Sequence, residues 1–547
     1  MDQSKVSPDL PKDELINEAA VKAVGMELAS VLPKHDKPWF RQKHLLQLNF
    51  LIIFLLLTPA SLGFDASMMN GLQSLETWRD YFGEPKGAKL GFMNAVMPLG
   101  ALIGSLPAGW TANYLGRKYT VMTGLIILIS SAILQGCAPN YAAFVCARFF
   151  IGIGIEFTAL PSPVLISELA YPTHRGKITS LYQTLFYLGA IASSWTIFGT
   201  FNITGSTWSW RIPSLLQAFF PVIQLVGLYF VPESPRWLIA RGRTAEARAI
   251  FAKYHAAGND AEPLVSYEVS EITAHIEAEK AVAGMSYLDL LKTNADRKRM
   301  AVCLFTAFIS NWSGNGIITY YLTLILSSVG ITSSFDQTLI NGVLQIFNLF
   351  AAIFGAMLVD RVGRRPLWIV SCTGMLLTYI ILTILSAEFV KTEQRGLGIG
   401  VIVMLFLYFF HYDIAVTPLT FAYPIEIFPF HARQKGMGIV MFFNGACALT
   451  NTFVNPIALE NIGWKYYIVY VALLLLMLVV VILCFAKTKG HSLEQIADIF
   501  EGPFIVVGKS RRRKSEIAII EEKVLEKGGQ AVMIEDVADT KVAPGKE

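Results

Sequence analysis

Asn113-Tyr114-Leu115-Gly116-Arg117-Lys118 recurs, 247 residues later, as Asp360-Arg361-Val362-Gly363-Arg364-Arg365. Each copy lies between two long apolar runs, which places it in a short loop joining membrane helices. A second pair repeats in register with it. Glu168 and Arg175 flank Pro172, and Glu426 and Arg433 flank Pro429, with a seven-residue spacing in both cases. Two duplicated signals in the same order mean that one membrane unit occurs twice. Repeated halves with a site between them are the architecture of secondary transporters.

Working outward, hydrophobic residues make up 54% of the 547 and charged residues 16%, and the mean hydropathy is +0.49. A soluble domain carries about a quarter charged residues. A bilayer-spanning helix needs roughly 20 apolar residues. Twelve runs qualify, at 45–66, 88–110, 119–137, 141–163, 176–200, 211–231, 299–326, 336–359, 366–386, 397–424, 435–457 and 464–485. The predicted fold is an all-α membrane protein of twelve transmembrane helices in two six-helix bundles. Its predicted segments are a tail at 1–44, bundles at 45–232 and 299–485, a linker with short helices at 233–298, and a tail at 486–547. The first apolar run begins too far in for a simple cleaved signal peptide.

Charge distribution sets the orientation. Lys and Arg gather at Arg117/Lys118, Arg175/Lys177, 236–299, Arg364/Arg365, Arg433/Lys435 and the tails, while the opposite loops hold chiefly Arg79, Lys86, Lys89, Lys391 and Arg395. The positive-inside rule then predicts both termini to be cytoplasmic. Asn202-Ile203-Thr204 falls outside, where Asn202 is a glycosylation candidate. The basic cluster Arg511–Lys514 suits anionic headgroups or solvent better than nucleic acid. The six cysteines fall in or beside apolar runs without metal spacing, so neither a metal site nor a disulfide framework is expected. No nucleophile–base pair or phosphate loop suggests an enzyme.

Further residues carry a family resemblance. Gly63-Phe64-Asp65 closing the first run, Arg148 opening the fourth helix, Pro232-Glu233-Ser234-Pro235-Arg236 after the sixth and both loop motifs resemble the sugar porters of the major facilitator superfamily. Asn311-Trp312-Ser313-Gly314-Asn315-Gly316, Phe421-Ala422-Tyr423-Pro424-Ile425-Glu426, Asn455-Pro456-Ile457-Ala458, Gly463-Trp464-Lys465-Tyr466-Tyr467 and Thr488-Lys489-Gly490 are similar to the fungal lactose-permease and cellodextrin-transporter branch. The likeness spans about 45–497. It implies two bundles rocking about a central sugar site.

The chemistry divides into three groups. Arg117, Arg364 and Arg365, each following the motif glycine, share a membrane face with Asp360, Glu168, Glu233, Glu426, Arg175, Arg236 and Arg433. Paired arginines and carboxylates there can hold two bundles together and release them, a cytoplasmic gate. Asn113 stands where the first copy should have an acid, which weakens that half. Intramembrane ionisable residues are costly and usually functional, and Asp65, Arg148, Glu156 and Asp413 qualify. By resemblance Asp65 and Arg148 couple proton to sugar, whereas Glu156 has no family counterpart and is either a special contact or an interface-facing residue. Asp413 matches a carboxylate that touches sugar; otherwise it serves a kink with Pro418.

Neutral polar positions suit hydroxyl-rich ligands, since amides both donate and accept and rings cover apolar sugar faces. The resemblance assigns sugar binding to Gln183, Asn348, Asn444, Tyr320 and Tyr321, with Asn311, Asn315 and Phe421 at further substrate positions. Amides also hold membrane helices together. Departures concern Ser310-Asn311 for a glutamine pair, Gly316 and Ala448 for asparagines, Phe421 for tryptophan and Lys487 for glutamate. They suggest a roomier or altered site. The combined expectation is a monomeric, cofactor-free, proton-coupled sugar importer in the lipid bilayer of the plasma membrane, favouring a disaccharide or related glycoside. Its alternatives are a facilitator or efflux carrier for another polyhydroxylated metabolite, or a non-transporting sugar sensor.

Overall fold

The structure, a computed structural model, describes residues 26–33, 38–281, 287–488 and 499–500. Both tails are largely outside that set, the Arg511–Lys514 cluster included. Among the described residues, twelve helices traverse the molecule: α1 Lys43–Leu72, α2 Gly87–Tyr114, α3 Arg117–Gly136 and α4 Tyr141–Leu169; α5, Arg175–Thr184 continued by Phe186–Thr200; α6 Trp208–Leu228 and α7 Asn294–Ser328; then α8 Ser334–Val362, α9 Arg364–Thr392, α10 Arg395–Ile427, α11 Phe430–Ile462 and α12 Tyr466–Cys484. Among the described residues, ten stretches are long and apolar enough to cross a bilayer. Lys435–Cys484 holds two helices, and α5 falls outside the ten because its first segment is polar. No strand occurs among the described residues.

Local sequence explains the boundaries. Asn140, Thr293 and Ser333 accept from backbone N–H groups in the first turns of α4, α7 and α8. Gly116 and Gly363 end one helix and start the next with nearly the same backbone, φ 106° and ψ 166° against φ 97° and ψ 162°. Those values suit glycine, so the duplicated motif builds a duplicated turn.

Packing inside the first bundle depends on absent side chains. A Cβ on Gly63 would lie 1.9 Å from the Phe186 carbonyl oxygen, and one on Gly189 1.8 Å from that of Ala60. Helices α1 and α5 therefore meet backbone to backbone, the membrane solution where no hydrophobic effect separates helix from lipid. Apolar residues from both bundles fuse at the end away from the linker, where Tyr321 of α7 joins Phe64, Leu72, Trp78 and Trp210. The linker helices Pro235–Ala240, Thr244–His255 and Pro263–Ala281 dock on the first bundle. Trp237 Nε1 donates to the Asn113 carbonyl at 2.9 Å. His255 lies 2.8 Å from Glu268 through Nδ1 and 3.1 Å from the Leu169 carbonyl through Nε2.

One boundary differs from the sequence reading, which closes α1 at Gly63-Phe64-Asp65: the helix runs on to Leu72, because Ala66-Ser67-Met68-Met69-Asn70 is buried against protein rather than exposed to water. Asp65 is consequently two turns inside the bundle.

Candidate functional site

The site begins with a break in α7. Gly314 takes a left-handed conformation, φ 106° and ψ −1°, and its carbonyl accepts from Tyr379 Oη at 3.0 Å. A Cβ there would lie 2.2 Å from that hydroxyl oxygen. Discontinuous helices mark midplane binding sites in transporters. Here the break is bordered by a cavity of about 250 Å³ between the bundles.

Six expected sugar contacts line it: Gln183, Asn311, Asn315, Tyr320, Asn348 and Phe421. Asn315 donates to Tyr412 Oη at 3.1 Å and accepts from Thr319 at 2.8 Å. Asn348 is fully buried and neither its carboxamide oxygen nor its nitrogen has a protein partner. An unmet buried amide costs about 1–3 kcal/mol, which a hydroxyl-bearing ligand removes by pairing with it. Two expected contacts stand one layer back. The Asn444 side-chain oxygen accepts from Asn311 at 2.7 Å, and Asp413 Oδ1 accepts from Tyr187 Oη at 2.5 Å and Thr417 at 2.7 Å. Tyr321 turns from the cavity and donates to the Thr452 carbonyl at 2.7 Å.

Sequence reading passed over Tyr187, Gln345, Tyr412 and Asn451, which also line the cavity. Spacing held a signal for two of them. Gln345 precedes Asn348 by three positions and Asn451 follows Asn444 by seven, each on a shared helix face. The unusual positions Ser310, Asn311, Gly316, Phe421 and Ala448 are all in the lining.

Beside the cavity, Arg148 Nη1 donates to Asp65 Oδ1, with both side chains fully buried. Gln217 Nε2 donates to the same oxygen at 2.9 Å. Asp65 and Arg148 are within electrostatic reach of Tyr320, which links them to the cavity wall. Glu156 sits away from that lining, half-buried on α4 and within electrostatic reach of Tyr182.

At the linker end, Arg117 Nε lies 3.5 Å from Glu168, whose carboxylate also accepts from Ser234. Arg175 and Arg236 are in electrostatic reach of Glu168. Glu233 accepts from the backbone N–H groups of Arg117 and Lys118 at 3.0 and 3.1 Å. In the second bundle Arg364 donates to Glu426 at 2.9 and 2.7 Å. Arg365 reaches the Ile482 carbonyl, and Arg433 the Phe428 carbonyl. These pairs stay within their own bundles. The Asp360 side chain lies outside the described residues.

Apart from the Tyr187–Asp413 bond, the crossing bonds between bundles among the described residues gather at the opposite end. Asn70 Nδ2 donates to Asn341 at 3.2 Å, Gln73 Nε2 to the Tyr320 carbonyl at 2.7 Å and Ser334 to the Ser74 carbonyl at 2.8 Å. The cavity is thus sealed from that end. Asn202 is exposed there, on the loop after α5.

A model of the family described as "Sugar (and other) transporter" matches residues 51–500. The chain is 28% identical to the MFS-type transporter oryC of Aspergillus oryzae over 92% of this chain and 96% of that one. It is 27% identical to a high-affinity glucose transporter of Kluyveromyces lactis, covering 79% of this chain and 81% of the other. An inward-open structure of the xylose transporter XylE from E. coli superposes with a TM-score of 0.68 at 21% identity, over 83% of this chain and 99% of that one. Likeness at that identity speaks for the fold.

Proposed function

Since this chain belongs to the sugar (and other) transporter family of the major facilitator superfamily, a family of multi-pass membrane carriers and not of enzymes, we propose that it imports a sugar together with a proton by alternating access. Asn348 carries this reading: its buried, unbonded carboxamide faces a cavity otherwise furnished with amides and rings. Gln183, Asn311, Asn315, Tyr320 and Phe421 contact the sugar directly, and Asn444 orients Asn311. The unusual lining residues support a substrate other than a simple hexose, and a disaccharide or related glycoside fits the loss of bulk at Phe421 and Ala448. A ligand of that size enters from the linker end, the opposite end being sealed.

Asp65 is the proton-coupling group: it pairs with Arg148 in this conformation, and in another the pair parts and a proton takes the place of the arginine. Positive charge at the linker end supports a cytoplasmic location for that end and both termini. The arginine–carboxylate pairs there serve as gate components, parted between bundles while the opposite end is sealed. The carrier works as a monomer in the plasma membrane, with Asn202 available for glycosylation.

Uptake of a radiolabelled sugar panel by a transporter-null yeast, with and without a proton uncoupler, tests the whole reading. One sugar should accumulate uphill, and the uncoupler should abolish that accumulation. Asn348→Ala and Gln183→Ala should raise its half-saturation about tenfold, the equivalent of an unmade hydrogen bond. Asp65→Asn should keep downhill exchange and lose accumulation. Unchanged half-saturation in both amide variants would move the sugar elsewhere.

A further inference from the structure

Tyr187 and Asp413 belong to different bundles, one on α5 and the other on α10, yet they share a 2.5 Å hydrogen bond near the middle of the membrane. That bond stands apart from the crossing bonds at the sealed end. Tyr187 lines the cavity. Asp413 does not; it is fully buried behind it, and its Oδ2 has no hydrogen-bond partner. Oδ1 therefore takes all the bonding, from Tyr187 and from Thr417 one turn on.

We propose that the Tyr187–Asp413 bond is a clasp across the cavity wall that holds the bundles in this sealed arrangement, with Asp413 acting on substrate through Tyr187. The inference rests on the transporter reading and adds to it a positioning pair. Its physics is local. A short bond between two rigid bundles is made at one relative position and lost after a displacement of about 1 Å, so it favours one state over the other. Thr417 is on the same helix as Asp413 and moves with it, so its bond is indifferent to the state. Tyr187 is the partner that reports it. Parting the bundles leaves the buried Asp413 with one donor fewer, which adds to the bias.

Losing the clasp should shift the ratio of sealed to opposite-facing molecules about tenfold or more toward the latter. Two readouts follow, using the full chain in lipid nanodiscs and in yeast. Hydrogen exchange in Tyr187→Phe should speed up across residues 67–75 and 320–341, the segments of the seal. Half-saturation for external sugar should fall while maximal rate drops, because more binding sites face outward but the return step is less favoured. Asp413→Leu should match Tyr187→Phe, and the double variant should be no worse than either, as expected for one shared contact. Asp413→Asn keeps an acceptor oxygen and should keep the exchange pattern of the parent. A rise in half-saturation with unchanged exchange would make Tyr187 a plain sugar contact and overturn the clasp. So would additive effects in the double variant. The exchange arm needs no substrate, so it reads the clasp even where the sugar panel finds nothing carried.

Discussion

The two bundles share a turn, a motif and a helix count, but they have placed different chemistry in their cores. The first bundle buries full charges: Asp65 against Arg148, with Glu168 facing Arg117 at its linker end. The second bundle buries Asp413 against the hydroxyls of Tyr187 and Thr417 rather than against a cation, and packs amides and tyrosines elsewhere in its core, where Asn451 donates to Tyr470 and Tyr470 donates to Asn455. Most of the cavity lining comes from the second bundle, with Leu62, Gln183, Phe186 and Tyr187 as the first bundle's share. The fully buried ion pair thus lies in the first bundle, while most of the amides that line the cavity lie in the second. The separation has a physical advantage. A buried charge is tolerable beside its partner and costly beside a neutral ligand, while amides pair with hydroxyl groups in any order.

Arg148→Leu should break this division most severely. It strands Asp65 as an unpaired carboxylate where nothing is exposed, a loss of about 3–5 kcal/mol. Fluorescence-detected thermal unfolding in detergent should show a large drop, and Asp65→Asn added to it should recover part of the loss. No recovery would mean the arginine acts by packing alone. In the second bundle, Asn455→Leu should cost less, because only neutral hydrogen bonds are lost.

A smaller effect should distinguish the two copies of the loop motif. Arg364 makes two short contacts to a half-buried Glu426, whereas Arg117 stands 3.5 Å from Glu168. Charge-assisted bonds of the first kind contribute about 1.5–3 kcal/mol, and a longer contact contributes less. Arg364→Ala should therefore lower the unfolding midpoint more than Arg117→Ala. Equal losses would show that the two junctions are equivalent despite their geometry.

The fold was legible because duplication and hydropathy are carried by many residues at once, and losing one run would not hide the other eleven. The cavity was partly legible. Gln183, Asn348 and Tyr320 had a family pattern behind them, but Tyr187 and Tyr412 are aromatic residues on apolar helices and look like core until the bundles are assembled. The partner of Asp413 was hidden for a stronger reason: Tyr187 is 226 positions away on the other bundle. Helix ends were the weakest reading. Hydropathy ended the first run at 66, since a buried polar stretch such as Ser67 to Asn70 has the composition of a loop. The ion-pair residues named from the sequence share the linker end of the molecule, while their pairing within bundles depends on a conformation that no sequence pattern encodes.

The finest difference between the halves is a single carboxylate. Glu233 caps the start of α3, accepting from the N–H groups of Arg117 and Lys118, and a Cβ on Gly116 would lie 2.3 Å from it. The matching motif after α12 has Lys487, so the second copy has no such acid. Burial pushes the Glu233 carboxyl above the ordinary glutamate value of 4.5, and its backbone hydrogen bonds pull the other way without cancelling that rise. The sign follows from linkage. With the folded-state value raised, the folded chain binds the proton more tightly than the unfolded chain. Its contribution to stability is fully present below the ordinary glutamate value and is lost as pH rises through the raised one. Glu233→Gln removes the titration but keeps an acceptor for the N–H groups. Unfolding midpoints of parent and variant, measured from pH 4 to pH 8, should therefore diverge as pH increases, with the parent losing ground, and then run parallel. A constant offset between them carries no information, because it reflects bond geometry; the slope is what counts. If the parent instead gained on the variant with rising pH, attraction between the carboxylate and the first turn of α3 would outweigh burial, and the first junction would be held by charge as firmly as the core pair above it.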